Sequence, residues 1–257
     1  MPNPLIAKLE PFTHLSDDDR AALQNLLAEP LRCYRPGTDI VSEGDDPKVV
    51  RLVLAGWAYR YKQLPDGRRQ VVALFLPGDL CDHTVFVLSE MDHSIGALGA
   101  VTLVEIQPAT FETLMADHPR VTRALWWDGL VSAAVQREWM LNLGRRSAGE
   151  RLAHVFCEVF YRLRGIGLTQ GTTCDMPLTQ TDLADLIGMT PVHVNRVLQM
   201  LRRQRLVELK GRRLTIPDLP TLEKAALFNP NYLHLDHVGA RFDAVGQHPA
   251  AAARYGA

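Results

Sequence analysis

Apolar and polar residues alternate with different periods in successive parts of the chain. After Ser16, leucines recur at helical spacing behind an acidic first turn, which predicts a capped helix over SDDDRAALQNLLAE. From Leu31 to about Thr110 the apolar runs become short or alternating and are separated by glycines, with Pro-Asp-Gly at 65–67 as a hairpin turn. This second pattern predicts a compact all-β barrel or roll.

Helical periodicity returns after the β region. A long helix is predicted from about Pro119 to Leu143, because His118-Pro119 precedes it and Gly144 ends it. It is apolar over more than one face, through Trp126, Trp127, Leu130, Val131, Ala134, Val135, Met140 and Leu141. Apolar surface left over after a helix covers its own domain makes a candidate dimer seam, although burial within one subunit stays open as the alternative. A further helix is predicted over 148–164, followed by a Gly/Thr-rich linker, GIGLTQGTTC.

Residues 180–205 predict two short helices joined by a tight turn. Thr179 followed by Asp182 three residues later has the pattern of a capping box for the first helix. Gly188 stands between the helices, where a left-handed backbone is needed. Thr190 is placed to cap the second helix, with a proline at the first helical position. These signals together indicate a helix-turn-helix unit.

The second helix of this unit has two distinct faces. The side chains expected to point inward are Val194, Val197, Leu198 and Leu201. Those expected to face outward near its N-terminal end are Val192, His193, Asn195 and Arg196. A recognition helix presents side chains from this end to base edges in the major groove of DNA. Residues 206–216 then alternate around a Lys-Gly turn, which predicts a β-hairpin and completes a winged helix.

Charge is distributed unevenly along the chain. Residues 178–216 hold seven Lys and Arg against three Asp and Glu, whereas the whole protein has a formal net charge of -1. A single arginine on an amphipathic helix is usually a solvated charge. A local positive cluster on a near-neutral protein instead indicates a nucleic-acid-binding face.

Length and composition favour an intracellular protein of two domains. The 257 residues suffice for one large or two ordinary cores, and no apolar run is long enough to span a membrane. The N-terminal residues MPNPLIAKLE lack the apolar core of a secretory signal, so a cytoplasmic location is expected. The four cysteines are scattered without a CxxC pair, which predicts mostly buried thiols rather than a disulfide framework or a zinc ribbon.

The order of these parts resembles the Crp/Fnr family of bacterial transcription regulators from about residue 10 to 218. The resemblance is carried by GTDIVSEG at 37–44, VLAGWAYR at 53–60, FLPGD at 75–79 and the whole stretch LTQTDLADLIGMTPVHVNRVLQMLRRQRLVELKGRRLTI at 178–216. It implies an α+β fold with a jelly-roll-like β-roll sensor domain (1–118), a long dimerisation helix (119–144) and a winged helix-turn-helix domain (145–218). The C-terminal extension (219–257) is expected to be partly disordered, with an ordered cap from Asn229 and a disordered end.

The family resemblance also implies a function. The expected protein is a non-enzymatic homodimer that binds a palindromic operator in double-stranded DNA, with RNA polymerase as a further candidate partner. A signal at the β-roll would be relayed through the long helix. By position, Arg196 corresponds to the base-reading arginine, and Pro191 and Val192 to the first outward recognition positions. The positions that correspond to phosphate contacts are Thr179, Gln180, Thr190, His193 and Lys210. Asn195 on the helix and Arg212 in the wing complete the predicted DNA-binding set.

The sensor part departs from the family's best-known patterns. Its cyclic-nucleotide sensors carry Gly-Glu and, some ten residues later, Arg-Ser, whereas the equivalent stretch here is GDLCDHTVFVLSEMDHSIGALGA, and no arginine lies between Arg69 and Arg120. A buried phosphate without a charge-assisted partner is costly, so cyclic AMP is disfavoured. With Cys33 and Cys81 as its only cysteines, the sensor domain does not support the iron–sulfur cluster of the oxygen sensors either. We therefore predict no cofactor.

The candidate effector pocket is made of the remaining polar and aromatic residues: Cys81, Asp82, His83, His93, Ser94, Trp126 and Trp127. Their donor atoms suit a metal or haem, but no HxH or HxxxH spacing is present, so no metal is predicted. In the alternative reading Asp82 and Asp92 hydrogen-bond loop amides, the histidines lie at the surface and the tryptophans anchor the core. Two other functional classes are a cupin-type enzyme, which lacks the required closely spaced histidines, and a metal-binding or protein-interaction adaptor with a degenerate winged helix.

Overall fold

The computed structural model describes residues 3–83 and 87–235. Its α-helices are α1 (Pro4–Leu9), α2 (Asp17–Asn25), α3 (Pro108–Asp117), α4 (Pro119–Arg145), α5 (Ala148–Gly165), α6 (Gln180–Ile187), α7 (Pro191–Arg203) and α8 (Leu219–Ala226). Its strands are β1 (Leu31–Tyr34), β2 (Asp39–Val41), β3 (Val50–Ala55), β4 (Ala58–Gln63), β5 (Arg69–Phe75), β6 (Leu80–Cys81), β7 (Ser94–Ala97), β8 (Val101–Ile106), β9 (Thr169–Gln170), β10 (Thr173–Asp175), β11 (Glu208–Lys210) and β12 (Arg213–Thr215).

Strands β1 to β8 form the predicted β-roll. They pair as two antiparallel four-stranded sheets, in the orders β1-β8-β3-β6 and β2-β7-β4-β5. The predicted turn at 65–67 joins β4 to β5, and Gly67 adopts the positive φ of 89° that this turn requires. The core between the sheets consists of alternate inward side chains, among them Val53, Ile95 and Leu103.

Two helices at the N-terminus cover one side of the roll. Ser16 and Asp19 form the predicted capping box of α2, with Ser16 N donating to Asp19 Oδ2 at 2.9 Å. Helix α1 has only six residues and was not predicted from the sequence. Leu5 and Leu9 of α1 are fully buried in a cluster with Leu125 of α4. The short helix therefore owes its stability to this packing rather than to its own propensity.

The long helix is confirmed, with 27 residues and a length of about 40 Å at 1.5 Å per residue. One side of α4 packs against the rest of the chain, and Trp139 is buried there. The opposite side leaves Trp126, Leu130 and Met140 exposed by 62%, 66% and 66%. Ala134, which the sequence groups with the apolar residues of the candidate seam, is only 7% exposed and belongs to the core of the protomer.

The predicted linker after α5 is wrong in one respect, because half of its residues lie in regular structure. Strands β9 and β10 form a hairpin across Gly171, whose φ is 58°. Strand β10 also pairs with β12, so the small sheet has the order β11-β12-β10-β9. The two strands have two and three residues, which is too short to show an alternating pattern in the sequence.

The C-terminal segment from Leu219 to Leu235 packs against α5. Leu222 and Ala226 of α8 are fully buried, and Tyr232 Oη donates to the buried carboxylate of Glu158 at 2.8 Å. The ordered cap predicted from Asn229 is confirmed through Leu235, and the predicted disorder after it falls outside the described residues.

One buried cluster connects the two halves of the molecule. Trp57, Tyr59 and Leu74 of the roll lie in the same core as Phe156 of α5 and Leu183 of α6. Among the described residues, no helix has both the length and the apolar character needed to cross a bilayer.

Candidate nucleic-acid interface and sensor cavity

The helix-turn-helix is built by the caps that the sequence indicates. Thr179 N donates to Asp182 Oδ2 at 2.8 Å and Asp182 N donates to Thr179 Oγ1 at 3.1 Å, so the capping box of α6 is confirmed. Gly188 ends α6 with φ 66° and ψ 45°. Thr190 then caps α7, because its hydroxyl accepts from the backbone N–H of His193 at 3.3 Å.

Helix α7 separates its two faces as predicted. The inward residues Val194, Val197, Leu198 and Leu201 are all buried. The first two turns present polar and small apolar side chains to solvent, and Val192 is 64% exposed although it is apolar. All ten residues of the predicted DNA-binding set are exposed: Thr179, Gln180, Thr190, Pro191, Val192, His193, Asn195, Arg196, Lys210 and Arg212. The structure thus brings them onto accessible surface of one small domain.

The basic residues of this domain divide into two groups. Arg202 Nη2 donates to the carbonyl of Leu209 at 2.6 Å, so this arginine ties α7 to the wing. Arg196, Lys210 and Arg212 form no ion pair with any residue that the structure describes. Exposed basic groups without an ion-pair partner are suited to phosphates and to the acceptor atoms of guanine.

The helix-turn-helix is fastened to the roll by a contact that the sequence does not predict. Arg69 of β5 donates to Asp185 Oδ2 of α6 through Nε at 2.8 Å and Nη2 at 2.6 Å. The same guanidinium lies over the rings of Tyr59 and Tyr61 and donates to Tyr59 Oη at 2.6 Å. Beside it, Gln70 Nε2 donates to the carbonyl of Leu186 at 3.0 Å.

The last carbonyl of α6 has a partner on another element. Arg151 of α5 donates to the carbonyl of Ile187 at 2.7 Å. Carbonyls at a helix C-terminus have no partner within their own helix. Side chains of the roll and of α5 therefore satisfy the end of α6 and fix how the first helix of the pair is oriented.

Several predicted effector residues form a polar network in the roll. Asp82 pairs with Arg60 and accepts from His93 Nε2 at 2.8 Å, while His93 Nδ1 contacts Asp92. His93 is buried, so the alternative that the histidines lie at the surface is wrong for this residue. Ser94 Oγ accepts from the backbone N–H of Glu43 at 2.9 Å. These contacts order the loops around β6 and β7.

The cysteines follow the prediction in three of four cases. Cys81, Cys157 and Cys174 are buried, whereas Cys33 is exposed on β1. Burial raises the pKa of the Cys81 thiol, so this residue is a neutral apolar group at physiological pH.

A cavity of about 290 Å³ lies between the roll, α4, α5 and the C-terminal segment. Asp82 and His83 line it, as the predicted effector pocket requires, and burial lowers the pKa of His83. The other predicted residues lie elsewhere. Trp126 is exposed on the outer side of α4, and Trp127 packs against the ring of Phe12 with a centroid distance of 6.1 Å. Cys81, His93 and Ser94 belong to the neighbouring strands and loops.

A chain of buried charges forms one wall of this cavity. Lys8 Nζ lies 2.8 Å from Asp79 Oδ1 and 2.7 Å from Asp128 Oδ1. Arg162 donates to Asp79 Oδ2 at 2.7 Å and contacts Glu158 at 3.5 Å. Burial opposes ionisation of Asp79, but the two neighbouring cations lower the pKa of its carboxyl overall. These ion pairs connect α1, the roll, α4 and α5, so a change in one charge alters the electrostatics at all four elements.

Most of these ion pairs could not be predicted, because their partners lie far apart in the chain. Glu158 and Arg162 are four residues apart, but their burial depends on tertiary packing. Asp79 alone stands in a motif, FLPGD. The described residues contain no group of three or more His, Cys, Asp or Glu arranged to hold a metal ion.

Comparisons with known proteins agree with this architecture. Residues 31–118 match the model of the cyclic nucleotide-binding domain, and residues 150–225 match that of the Crp-like helix-turn-helix domain. Among curated relatives, the transcriptional activator protein FnrL of Cereibacter sphaeroides is 30% identical over 188 residues, covering 72% of this chain and 75% of the relative. The nitrogen fixation regulation protein FixK of Bradyrhizobium diazoefficiens is 29% identical, covering 87% of this chain and 98% of the relative.

Solved structures give the same result. FixK2 from Bradyrhizobium japonicum superposes with a TM-score of 0.68 at 26% identity, covering 76% of this chain and 96% of that one. A CooA mutant from Carboxydothermus hydrogenoformans, at 16% identity and a TM-score of 0.63, shares the fold. FnrL is named as a transcriptional activator and FixK as a regulation protein. The chain therefore belongs to the Crp/Fnr family of DNA-binding transcription regulators.

Proposed function

We propose that the protein binds a palindromic operator as a homodimer and that a signal at the β-roll controls this binding. The observation that carries the proposal is the exposed face of α7, which presents Val192 and Arg196 beside the unpaired basic residues of the wing. The relatives named as a transcriptional activator and as a regulation protein support the same role.

Arg196 is proposed to read a guanine and Val192 a thymine methyl group. Both project from the first two turns of α7, the part of a recognition helix that reaches base edges. The guanidinium fork of arginine matches the two acceptors that guanine presents in the major groove. Lys210 in the wing and the capping residues Thr179 and Thr190 are proposed to contact phosphates.

Two variants separate base reading from phosphate contact. Arg196→Ala should lose about 1 to 3 kcal/mol of discrimination at one base pair. Lys210→Ala should weaken binding to all sequences alike and reduce the slope of log K against log salt concentration by about one unit. Fluorescence anisotropy with matched and mutated sites at several salt concentrations measures both. If the Arg196 variant keeps its full preference, Arg196 is a solvated charge and the docking orientation is wrong.

The outer side of α4 is proposed as the dimer seam. Trp126, Leu130 and Met140 are exposed there. Together with Ala133 they keep the alternating spacing of four and three that a two-stranded coiled coil uses, with Arg137 as the polar member of the repeat. A palindromic site requires a protein with the same two-fold symmetry.

Leu130→Glu should yield folded monomers, because Leu130 is 66% exposed in the protomer and a charge there is costly only inside an interface. Ser132→Glu is the matched control, since it adds the same charge two residues later on a side of α4 that lines the cavity. Sedimentation velocity measures the outcome. A Leu130→Glu protein that remains dimeric would move the interface elsewhere. Ala134 is unsuitable for this test because a charge at this buried position would disrupt the protomer itself.

The cavity between the roll and α4 is proposed as the site of the signal. It touches the sensor strands, the proposed dimer helix and α5 at once, so a ligand there would contact the elements that connect the roll with the rest of the protein. Cyclic AMP does not suit it. The nearby arginines Arg60 and Arg162 already pair with carboxylates, which leaves a cyclic phosphate without a free cation among the described residues. Calorimetry should detect no micromolar binding of cyclic AMP, and such binding coupled to tighter DNA binding would contradict this assignment.

A further inference from the structure

Most side chains that line the cavity are apolar. They come from β5, α4, the end of α5 and the C-terminal segment, and include Val72, Leu74, Val135, Ile166, Leu233 and Leu235. A partly open, mainly apolar surface of this kind binds molecules mainly by removing their apolar area from water. The cavity volume of about 290 Å³ is roughly twice that of an engineered apolar cavity of about 150 Å³ that binds benzene.

The charges along the lining compensate one another. Lys8 lies between Asp79 and Asp128, at 2.8 Å and 2.7 Å. Arg162 is also paired with Asp79, at 2.7 Å, and Arg60 is paired with Asp82. Among the described residues of the lining, three cationic side chains therefore face three carboxylates.

The remaining titratable group of the lining adds no charge. Burial lowers the pKa of His83, so its imidazole is neutral at physiological pH. An anionic ligand would meet the three carboxylates without a free cation, and a cationic ligand would meet the three basic groups without a free carboxylate. Either would lose its hydration without a charged partner in return.

We propose that this cavity takes an uncharged, mainly apolar small molecule of about two to three aromatic rings. This inference rests on the proposed role of the cavity as the signal site, and it names the chemical class of the signal. Polar atoms on such a ligand would have Ser132 and Gln136 of α4 as neutral hydrogen-bonding partners.

A matched pair of fluorescent probes tests the charge requirement. N-phenyl-1-naphthylamine is neutral, and 1-anilinonaphthalene-8-sulfonate has the same aromatic framework with one negative charge. The neutral probe should bind at least about tenfold more tightly than the anionic one, because one uncompensated charge in a partly buried site outweighs about 1.4 kcal/mol, the equivalent of tenfold. Equal or tighter binding of the sulfonate would overturn the proposal.

Two cavity variants confirm where the probe binds. Ser132→Phe and, one turn later, Gln136→Trp place rings into the cavity from exposed positions of α4, so the protomer should tolerate them. Both should weaken binding of the neutral probe at least about tenfold. Thr113→Phe, on the exposed side of α3, is the control and should change nothing. Unchanged binding in both cavity variants would show that the probe lies elsewhere and would overturn the proposal.

A charge variant should reduce the preference for the neutral probe. Asp128→Asn removes one carboxylate and leaves the lining with one net positive charge, so binding of the sulfonate should rise by at least about tenfold while the neutral probe changes less than about threefold. No gain for the sulfonate in a variant that melts as cooperatively as the parent would contradict the charge argument.

DNA anisotropy on the same samples separates this proposal from the proposed function. A parent protein that binds the neutral probe but no DNA refutes the proposed function and leaves the ligand class intact. DNA binding with no neutral-probe binding refutes the ligand class alone. Probe binding that leaves DNA affinity unchanged supports the ligand class and refutes the role of the cavity as the signal site.

Discussion

The contact between Arg69 and Asp185 should contribute measurably to the stability of the folded protein. The two hydrogen bonds to Asp185 Oδ2 measure 2.8 Å and 2.6 Å, and the side chains are 26% and 24% exposed. Exposed ion pairs contribute about 0 to 1 kcal/mol, and breaking a fully buried pair costs about 3 to 5 kcal/mol. For a pair that is one quarter exposed and held by two charge-assisted bonds, we expect a coupling of about 1 to 2 kcal/mol.

A double-mutant cycle isolates this coupling. Arg69→Gln also loses the contacts with Tyr59 and Tyr61, so this single variant should lower the free energy of unfolding by more than the coupling energy of the pair. Asp185→Asn removes only the carboxylate charge. Urea denaturation of the parent, both single variants and the double variant at one protein concentration yields the four free energies of unfolding. A coupling below about 0.5 kcal/mol would refute the idea that this pair holds the helix-turn-helix against the roll.

Two further predictions concern stability. Burial lowers the pKa of His154 to about 3. In the unfolded chain the imidazole binds a proton near pH 6.5, whereas in the folded protein it stays neutral. Below pH 6.5 this group should therefore lower the free energy of unfolding by about 1.4 kcal/mol for each unit that the pH falls. His154→Gln should flatten the pH dependence of urea unfolding between about pH 6 and 4.5. Parallel curves would show that His154 is protonated in the folded protein. Gly188→Ala should destabilise the protein by about 1 kcal/mol, because φ at this position is 66°. Gly129→Ala, in the middle of α4, should stabilise the protein by about 0.5 to 1 kcal/mol, since the new Cβ would lie at an ordinary 3.5 Å from His83. Thermal melts that show the same sign for both would contradict the backbone argument.

The winged helix could be predicted because its signals are local. Thr179, Gly188 and Thr190 each act within three residues of their own position, through a cap or a left-handed turn. The inward and outward faces of α7 follow from the helical period alone. The long helix is similarly marked by a proline at its start, and its exposed apolar residues are a simple consequence of having more apolar positions than one protomer can cover.

The cavity and the interdomain contact could not be predicted because their partners are distant in sequence. Arg69 and Asp185 are separated by 116 residues, and Arg162 and Asp79 by 83. The sequence has no arginine between Arg69 and Arg120, whereas the structure brings Arg162 of α5 to the cavity. Trp126 was predicted to line the effector pocket because it follows the sensor domain in sequence, but in the structure it points away from the cavity into solvent.

The β9–β10 hairpin and α1 are too short to be predicted from sequence periodicity. Two or three residues per strand, or six per helix, give too few positions to define a period. These elements form because a neighbouring surface buries them, as Leu5 and Leu9 of α1 illustrate. Tertiary packing determines whether such short elements form, and this packing cannot be inferred from one segment of the sequence alone.

Selection of binding sites from a random pool of double-stranded DNA tests the central claim most directly. If a homodimer reads DNA through α7, the full-length protein should enrich a two-fold symmetric consensus whose half-site centres lie about one helical turn, roughly 34 to 36 Å, or a multiple of it apart. The positions lost in the Arg196→Ala selection should be a symmetric pair of G·C base pairs. Failure of the parent protein to enrich any sequence, or enrichment of a single asymmetric site, would contradict the account.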